Sequence, residues 1–141
     1  MKKFVLTVII FVAGISVFAQ TEDAPKPVAP YSQARMTESG VLFVSGQIPI
    51  NPATGKLLKG DIKTETKQVM ENIGAILKAH GMDFSDVVKC TVFLTDIRDY
   101  GAVNEVYRIF FKNNVFPARE AIEISNLPLG ASIEISAIAS K

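Results

Sequence analysis

Two charged residues in the C-terminal part of the chain have side chains that could do chemistry. Arg119 follows a proline in the segment FPAREAIEIS (residues 116–125), and Glu134 lies in the middle of ASIEISAIAS (residues 131–140). In general, an arginine can donate several hydrogen bonds to an anion, and a glutamate can accept a proton. The same residues can also be ordinary charges on a solvated sheet face, where isolated ion pairs contribute little. Composition alone favours this second interpretation.

The alternation of residue types in these two segments predicts two strands. In the first strand, Arg119 and Glu120 point to opposite faces although they are adjacent, and Ile122 and Ile124 look like core residues. In the last strand, one face is small and apolar and carries Ala131, Ile133, Ile135, Ala137 and Ala139. Glu134 belongs to the opposite face. It is therefore either solvated on an open sheet or held in a cleft.

Two further strands are predicted upstream. VLFVSG (residues 41–46) is a short β-rich run, and the following QIPINPATGKL (residues 47–57) is predicted to be a loop because of its Asn-Pro and Thr-Gly pairs. VVKCTVFLT (residues 87–95) alternates, and one face is predicted to carry Val88, Cys90, Val92 and Leu94.

Two helices are predicted between and after these strands. Residues 62–80 carry apolar side chains at helical spacing, namely Val69, Met70, Ile73, Ile76 and Leu77. Asp61 or Thr64 could cap the start of this helix, and Gly81 is well placed to end it. A second helix is predicted from about Tyr100 to Asn113-Asn114. Strands interleaved with two helices indicate an α+β fold with both helices on one side of the sheet.

The N-terminus resembles a secretory signal peptide. A cationic start (Lys2, Lys3) precedes an uncharged apolar stretch, and Val17 and Ala19 occupy the positions that a signal peptidase reads. A single membrane anchor is the alternative interpretation. We expect residues 1–19 to be a signal peptide, 20–30 to be an extended proline-rich tail and 31–141 to be a single domain. The mature protein would then be periplasmic or secreted, without membrane attachment.

Charge and residue counts exclude several classes of function. Without Lys2 and Lys3, the chain has 13 basic and 14 acidic residues and a net charge of about −1, which gives no reason to expect a nucleic-acid partner. Cys90 is the single cysteine, so no disulfide can form within the chain, and it is expected to be a buried core thiol. With one cysteine and one histidine, His80, a His/Cys metal site is not expected.

Five segments, taken together, resemble the reactive intermediate deaminase (Rid, YjgF-like) family. They are PYSQA, VSGQIPINPATG, VVKCTVFLTDIRDYGAVNEVY, FPAREAIEI and IEISAIA, and they span about residues 29–139 in the family's order. The resemblance implies a chorismate-mutase-like mixed sheet and a homotrimer with clefts between subunits. It also implies hydrolysis of 2-imino acids and their enamine tautomers to 2-keto acids and ammonia, without a cofactor.

The resemblance also implies roles for individual residues. Arg119 matches the arginine that binds the substrate carboxylate, a task that suits its planar fork of donors. Glu134 matches the acidic residue that positions the attacking water. The substrate-binding residues are expected to be Tyr31, Ser45, Gly46, Phe93, Asn104 and Ala121. Ala121 stands where relatives often have a cysteine, so thiol chemistry at that position is not expected.

Residue spacing alone leaves other interpretations open. Asn104 could be an exposed helix residue, and Tyr31 could pack at a subunit edge. At the level of function, the alternatives are a non-enzymatic protein that binds a small carboxylate in the same cleft and, with less support, a ribonuclease.

Overall fold

The computed structural model describes residues 20–141. It contains seven strands, β1 (Ala34–Met36), β2 (Val41–Gln47), β3 (Ile50–Asn51), β4 (Lys56–Leu57), β5 (Val87–Leu94), β6 (Ala118–Glu123) and β7 (Ile133–Ser140), and two α-helices, α1 (Ile62–Ala79) and α2 (Tyr100–Tyr107). Five strands form one sheet in the order β1-β2-β7-β5-β6, in which only β5 and β6 run parallel. The predicted α+β class, with two helices and a mixed sheet, is confirmed.

Helix α1 begins and ends at the residues that the sequence indicates. The Asp61 side chain accepts a hydrogen bond from the backbone N–H of Thr64 at 2.8 Å, and Gly81 follows the last turn with a φ of +70°. All five residues of its predicted apolar face are fully buried against the sheet. Burying each such side chain stabilises the fold by roughly 1.5–3 kcal/mol.

Helix α2 is shorter than predicted. Its regular part ends at Tyr107, and residues 108–114 form short 3-10 turns in which Asn113 and Asn114 have positive φ values of 55° and 56°. Phe111 follows the first of these turns. The centre of its ring lies 4.7 Å from that of the Tyr107 ring and 5.4 Å from that of the Phe84 ring. This aromatic contact fixes the chain where the regular helix stops.

The helices cover one face of the sheet, and the hydrophobic core lies between the helices and this face. Alternate residues of β7 are buried on this face, as predicted, and Cys90, Val92 and Leu94 of β5 join them. The opposite face is open in the single chain. It carries two large apolar side chains, Phe43 and Ile122, that are 48% and 45% exposed.

Two expectations about apolar strand residues are wrong. Val88 is half-exposed, while Val87 is buried, because the pairing of β5 with β7 shifts register between Val87 and Lys89. Such a bulge inserts one residue into the strand, so the side chains before it point to the face opposite to the one that strict alternation predicts. Ile122 is not a core residue, since β6 is the edge strand and Ile122 pairs with Phe93 on the open face.

The segments predicted to lack regular structure are partly ordered. The predicted loop at residues 47–57 contains the hairpin of β3 and β4. Residues 20–30 form no helix or strand, but Ala24 is buried, and the Gln33 side chain donates hydrogen bonds to the carbonyl oxygens of Thr21, Ala24 and Pro25. The start of this segment is therefore held against the domain.

The predicted signal peptide, including Val17 and Ala19, lies outside the described residues. Between residues 20 and 141, neither helix is both long enough and apolar enough to span a bilayer.

Candidate active site

Arg119 lies at the edge of the sheet, beneath helix α2. It pairs with the core residue Cys90 across the β5–β6 ladder, so its side chain is on the helix-covered face. It borders a cavity of about 370 Å³ lined by Tyr100, Asn104, Tyr107, Arg108, Phe116, Pro117, Arg119 and Ala121. None of these lining residues is acidic.

Helix α2 holds the Arg119 guanidinium in a defined orientation. Its Nη2 donates to Asn104 Oδ1 at 2.7 Å and to the Tyr100 hydroxyl at 3.0 Å. The central guanidinium carbon lies 4.6 Å from the centre of the buried Tyr107 ring, a cation–π distance. Among residues 20–141 both hydrogen bonds use Nη2, so Nε and Nη1 remain able to donate to a ligand.

The ionisable groups around Arg119 are shifted by their surroundings. Hydrogen bonds from Asn104 and Arg119 lower the pKa of Tyr100 below its usual value. Burial raises the pKa of Tyr107 and that of Cys90, which lies beside it, so both remain protonated at neutral pH. The positive charge of this cavity therefore comes from its arginines.

Glu134 lies in a second cavity, of about 350 Å³. Its lining is mostly apolar and consists of Val28, Ala29, Tyr31, Ser45, Gly46, Ile48, Ile50, Pro128, Leu129 and Glu134. Burial raises the pKa of the Glu134 carboxyl group above its usual value. No donor in the described part of the chain hydrogen-bonds this carboxylate. A desolvated, unpaired carboxylate is a better proton acceptor than an exposed one.

The shape of strand β2 places Gly46 directly against Glu134. The pairing of β2 with β7 shifts register between Val44 and Gln47. A Cβ atom at Gly46 would lie 1.9 Å from Glu134 Oε1, which is far inside contact distance. Because Gly46 has no side chain, the Glu134 carboxylate can occupy this position.

Ser45 and Tyr31 complete this cavity from neighbouring segments. The Ser45 hydroxyl donates to the carbonyl oxygen of Ser32 at 2.6 Å, and its backbone N–H donates to the carbonyl oxygen of Gln33. These bonds connect β2 to the segment that carries the exposed Tyr31 ring.

The structure brings the predicted residues together in two groups. Asn104 and Ala121 line the cavity of Arg119, whereas Tyr31, Ser45 and Gly46 line the cavity of Glu134. Phe93 lines neither, but it pairs with Glu134 in the β5–β7 ladder.

Arg119 and Glu134 lie on opposite faces of the sheet within one chain. Arg119 shares the helix-covered face with Cys90, while Glu134 shares the open face with Phe93. One chain therefore cannot present both side chains to the same small substrate.

Three residues of helix α2 and the turn after it line the Arg119 cavity but were not among the predicted site residues. Tyr100, Tyr107 and Arg108 line it together with Asn104. The four positions are spaced i, i+4, i+7 and i+8, which places them along one side of a helix. This spacing is a usable signal, although Tyr107 also fits the buried apolar face of the helix.

Within residues 20–141, no group of three or more His, Cys, Asp or Glu side chains is arranged to hold a metal ion.

Known proteins resemble this chain over nearly its whole described length. The model of the family described as "Endoribonuclease L-PSP" matches residues 21–141. A RutC family protein of Pyrococcus horikoshii is 54% identical over 86% of this chain and 94% of its own. The 2-iminobutanoate/2-iminopropanoate deaminase of Homo sapiens is 48% identical over 84% of this chain and 85% of its own.

A solved structure shows the same similarity in three dimensions. YyfA of Yersinia pestis, a protein of unknown function in the conserved Rid family, superimposes with a TM-score of 0.84 at 45% identity. The match covers 88% of this chain and 98% of that one. The chain therefore belongs to the endoribonuclease L-PSP family, also known as the YjgF or Rid family.

Proposed function

We propose that the protein is a homotrimeric, cofactor-independent hydrolase that deaminates 2-imino acids and their enamine tautomers. The observation that supports this proposal is the presence of two complementary sites. Arg119 is fixed and has free hydrogen-bond donors, and Glu134, on the other face of the sheet, is desolvated and unpaired among the described residues. The names of relatives support the same activity. Four relatives that are 47–48% identical carry the name 2-iminobutanoate/2-iminopropanoate deaminase.

In this proposal Arg119 binds the substrate carboxylate through Nε and Nη1, while Asn104 and Tyr100 hold Nη2. The bound carboxylate fixes the position of the imine carbon. Tyr31, Ser45, Gly46, Phe93 and Ala121 are proposed to shape the rest of the substrate site.

Glu134 is proposed to act on water. It takes a proton from a water molecule whose oxygen attacks C2 of the imine, and the C=N electron pair moves to nitrogen. The proton passes to that nitrogen and gives a carbinolamine. Glu134 then takes the proton of the new hydroxyl group and delivers it to the nitrogen, the C–N bond breaks as the C=O bond forms, and the products are ammonia and a 2-keto acid. One water is consumed, and neither an oxidant nor a reductant is required.

A trimer would bring Arg119 and Glu134 together. Since one chain separates them on two faces, a shared site needs Arg119 from one subunit and Glu134 from its neighbour. The open sheet face supports assembly, because the exposed Phe43 and Ile122 offer apolar surface to a second chain.

A coupled assay tests the activity. An amino-acid oxidase generates 2-imino acids from alanine or 2-aminobutanoate, and the decay of each imine is followed with and without the mature protein. Decay accelerated by wild type and not by Arg119→Ala supports the proposal. Tight binding of the keto acid without any acceleration would instead favour the alternative, a non-enzymatic carboxylate-binding protein.

The family's description favours one further candidate, an endoribonuclease. The net charge of about −1 without Lys2 and Lys3 argues against a nucleic-acid substrate, because binding to phosphates depends on basic residues. Salt-sensitive RNA cleavage that Arg119→Ala does not abolish would favour the ribonuclease.

We also propose that the protein is exported to the periplasm or secreted, with no membrane attachment after cleavage. The support is the order of Lys2-Lys3, the apolar run and Ala19. The intact mass of the native protein should correspond to a chain that begins at Gln20, and a mass that includes residues 1–19 would contradict export.

A further inference from the structure

The cavity of Arg119 contains a second guanidinium group. Arg108, the first residue after helix α2, lines the same space of about 370 Å³. A 2-imino acid with an uncharged side chain has one carboxylate, which Arg119 can bind alone. The second arginine is therefore in excess of what such a substrate requires.

Neither guanidinium is neutralised by a salt bridge within residues 20–141. Arg119 bonds to the neutral groups of Asn104 and Tyr100. The pKa of Glu105 is lowered mainly by its hydrogen bond and ion pair with Lys63, at 2.5 Å, and Arg108 contributes less to this shift. Since the cavity is also lined by no carboxylate, it holds two guanidinium charges that form no salt bridge in the described part of the chain.

We infer that this cavity selects dicarboxylic 2-imino acids, with Arg119 on the carboxylate next to the imine and Arg108 on the side-chain carboxylate. The inference rests on the proposed deamination and names the substrate class for it. Two guanidinium groups in one half-open cavity favour a dianion over a monoanion, because each can form charge-assisted hydrogen bonds with a different carboxylate. The products would be dicarboxylic 2-keto acids and ammonia, with one water consumed.

Substrate competition tests this selectivity. An aspartate or glutamate oxidase generates 2-iminosuccinate or 2-iminoglutarate, which differ by one carbon between their carboxylates, and alanine supplies 2-iminopropanoate as the monoanion. The measured quantity is the ratio of kcat/KM for each dicarboxylate to that for 2-iminopropanoate. Arg108→Gln should lower this ratio about 10-fold for at least one dicarboxylate, through KM, because a hydrogen bond between charged groups is lost. Arg108→Lys, which keeps the positive charge, should retain part of the wild-type ratio.

The matched control is Arg98→Gln. Arg98 is an exposed arginine that bonds to Asp96 and does not line this cavity. Arg98→Gln should therefore leave the ratio of kcat/KM values unchanged. An unchanged ratio in Arg108→Gln, or an equal fall in the control, would overturn the inference.

Binding separates this inference from the deaminase proposal. Calorimetry at low salt compares 2-oxoglutarate and oxaloacetate with pyruvate, on wild type and on Arg108→Gln. Wild type should bind at least one dicarboxylate about 10-fold more tightly than pyruvate, and the variant should lose that advantage. If no imine is turned over but this difference persists, deamination is refuted and the dianion site stands. Equal affinities of wild type for dicarboxylates and pyruvate would overturn the dianion site.

Discussion

At the scale of single residues, the two proposed catalytic side chains have opposite environments. Arg119 is fixed by two hydrogen bonds and an aromatic ring, so little of its conformational freedom remains to be lost when a ligand binds. Glu134 has no partner among the described residues, and burial raises the pKa of its carboxyl group. A fixed cation suits binding, and an unpaired carboxylate suits proton transfer.

Arg119→Ala should abolish most turnover and leave the fold intact, because its side chain borders a cavity. The expected loss is about 2–5 kcal/mol of transition-state stabilisation, or roughly 30-fold to several thousand-fold in kcat/KM. Arg119→Lys should recover little, since an ammonium keeps the charge but loses the planar fork that Asn104 and Tyr107 orient. Steady-state kinetics and circular dichroism measure both effects. Near wild-type kcat/KM in Arg119→Ala would refute the assignment.

Glu134→Gln should lower kcat more than it raises KM, because it removes the base and keeps the shape. Wild-type kcat should fall as the pH decreases through the raised pKa of Glu134, and the variant should lack this acid limb. A variant whose kcat keeps both its size and the acid limb would exclude Glu134 as the base.

The same pKa shift predicts the effect of Glu134→Gln on stability. A raised pKa means that the folded protein binds this proton more tightly than the unfolded chain does. The ionised carboxylate therefore lowers the free energy of unfolding above the folded pKa, and this penalty disappears below the unfolded pKa. Urea unfolding should show the variant to be as stable as wild type or more stable at about pH 8. Any advantage should vanish at about pH 4.

At the scale of elements, strand β2 determines where Glu134 can lie. Gly46→Ala would put a methyl group within 1.9 Å of Glu134 Oε1 and within 2.7 Å of its carboxyl carbon. The flexible glutamate should rotate away, so kcat should fall by about 10-fold or more while the fold survives. Steady-state kinetics and thermal unfolding measure the two effects.

The matched control for this change is Gly101→Ala in helix α2. Apart from the chain neighbours and the backbone of the same helix, no atom of the described residues lies within 4 Å of the added Cβ. Activity should therefore be unchanged, and stability should rise by up to about 1 kcal/mol. Unchanged kcat in Gly46→Ala would show that the position of Glu134 does not matter.

The elements show which parts of the structure a sequence can specify. Helix α1 was predictable to its caps, since Asp61, Gly81 and the apolar spacing are local signals. The alternation of β7 was equally clear. The bulge at Val88 and the exposure of Ile122 were not predictable, because both depend on which strand pairs with which and which strand lies at the edge.

The candidate site shows the same division. The residues of the Arg119 cavity on α2 share one side of a helix, and their spacing could have revealed them. The separation of Arg119 from Glu134 on two sheet faces follows from the register of β6 on β5 and of β5 on β7. No local pattern in the sequence records that register.

At the scale of the whole molecule, we propose that the active site forms between subunits. In each chain, Arg119 lies on one face of the sheet and Glu134 lies on the other. A closed ring of three chains would therefore contain three complete sites. Light scattering should therefore report three chains. A monomer that still deaminates imines would contradict this assembly.

Subunit complementation tests whether Arg119 and Glu134 of different chains form one site. Arg119→Ala and Glu134→Gln chains, each nearly inactive alone, are co-expressed in equal amounts with different tags, and the mixed oligomers are purified. A site between chains is intact when an Arg119→Ala chain supplies Glu134 and a Glu134→Gln chain supplies Arg119. With random mixing this restores about a quarter of the wild-type activity per chain. Activity no higher than that of the separate variants, in oligomers proven to be mixed, would refute a site shared between chains.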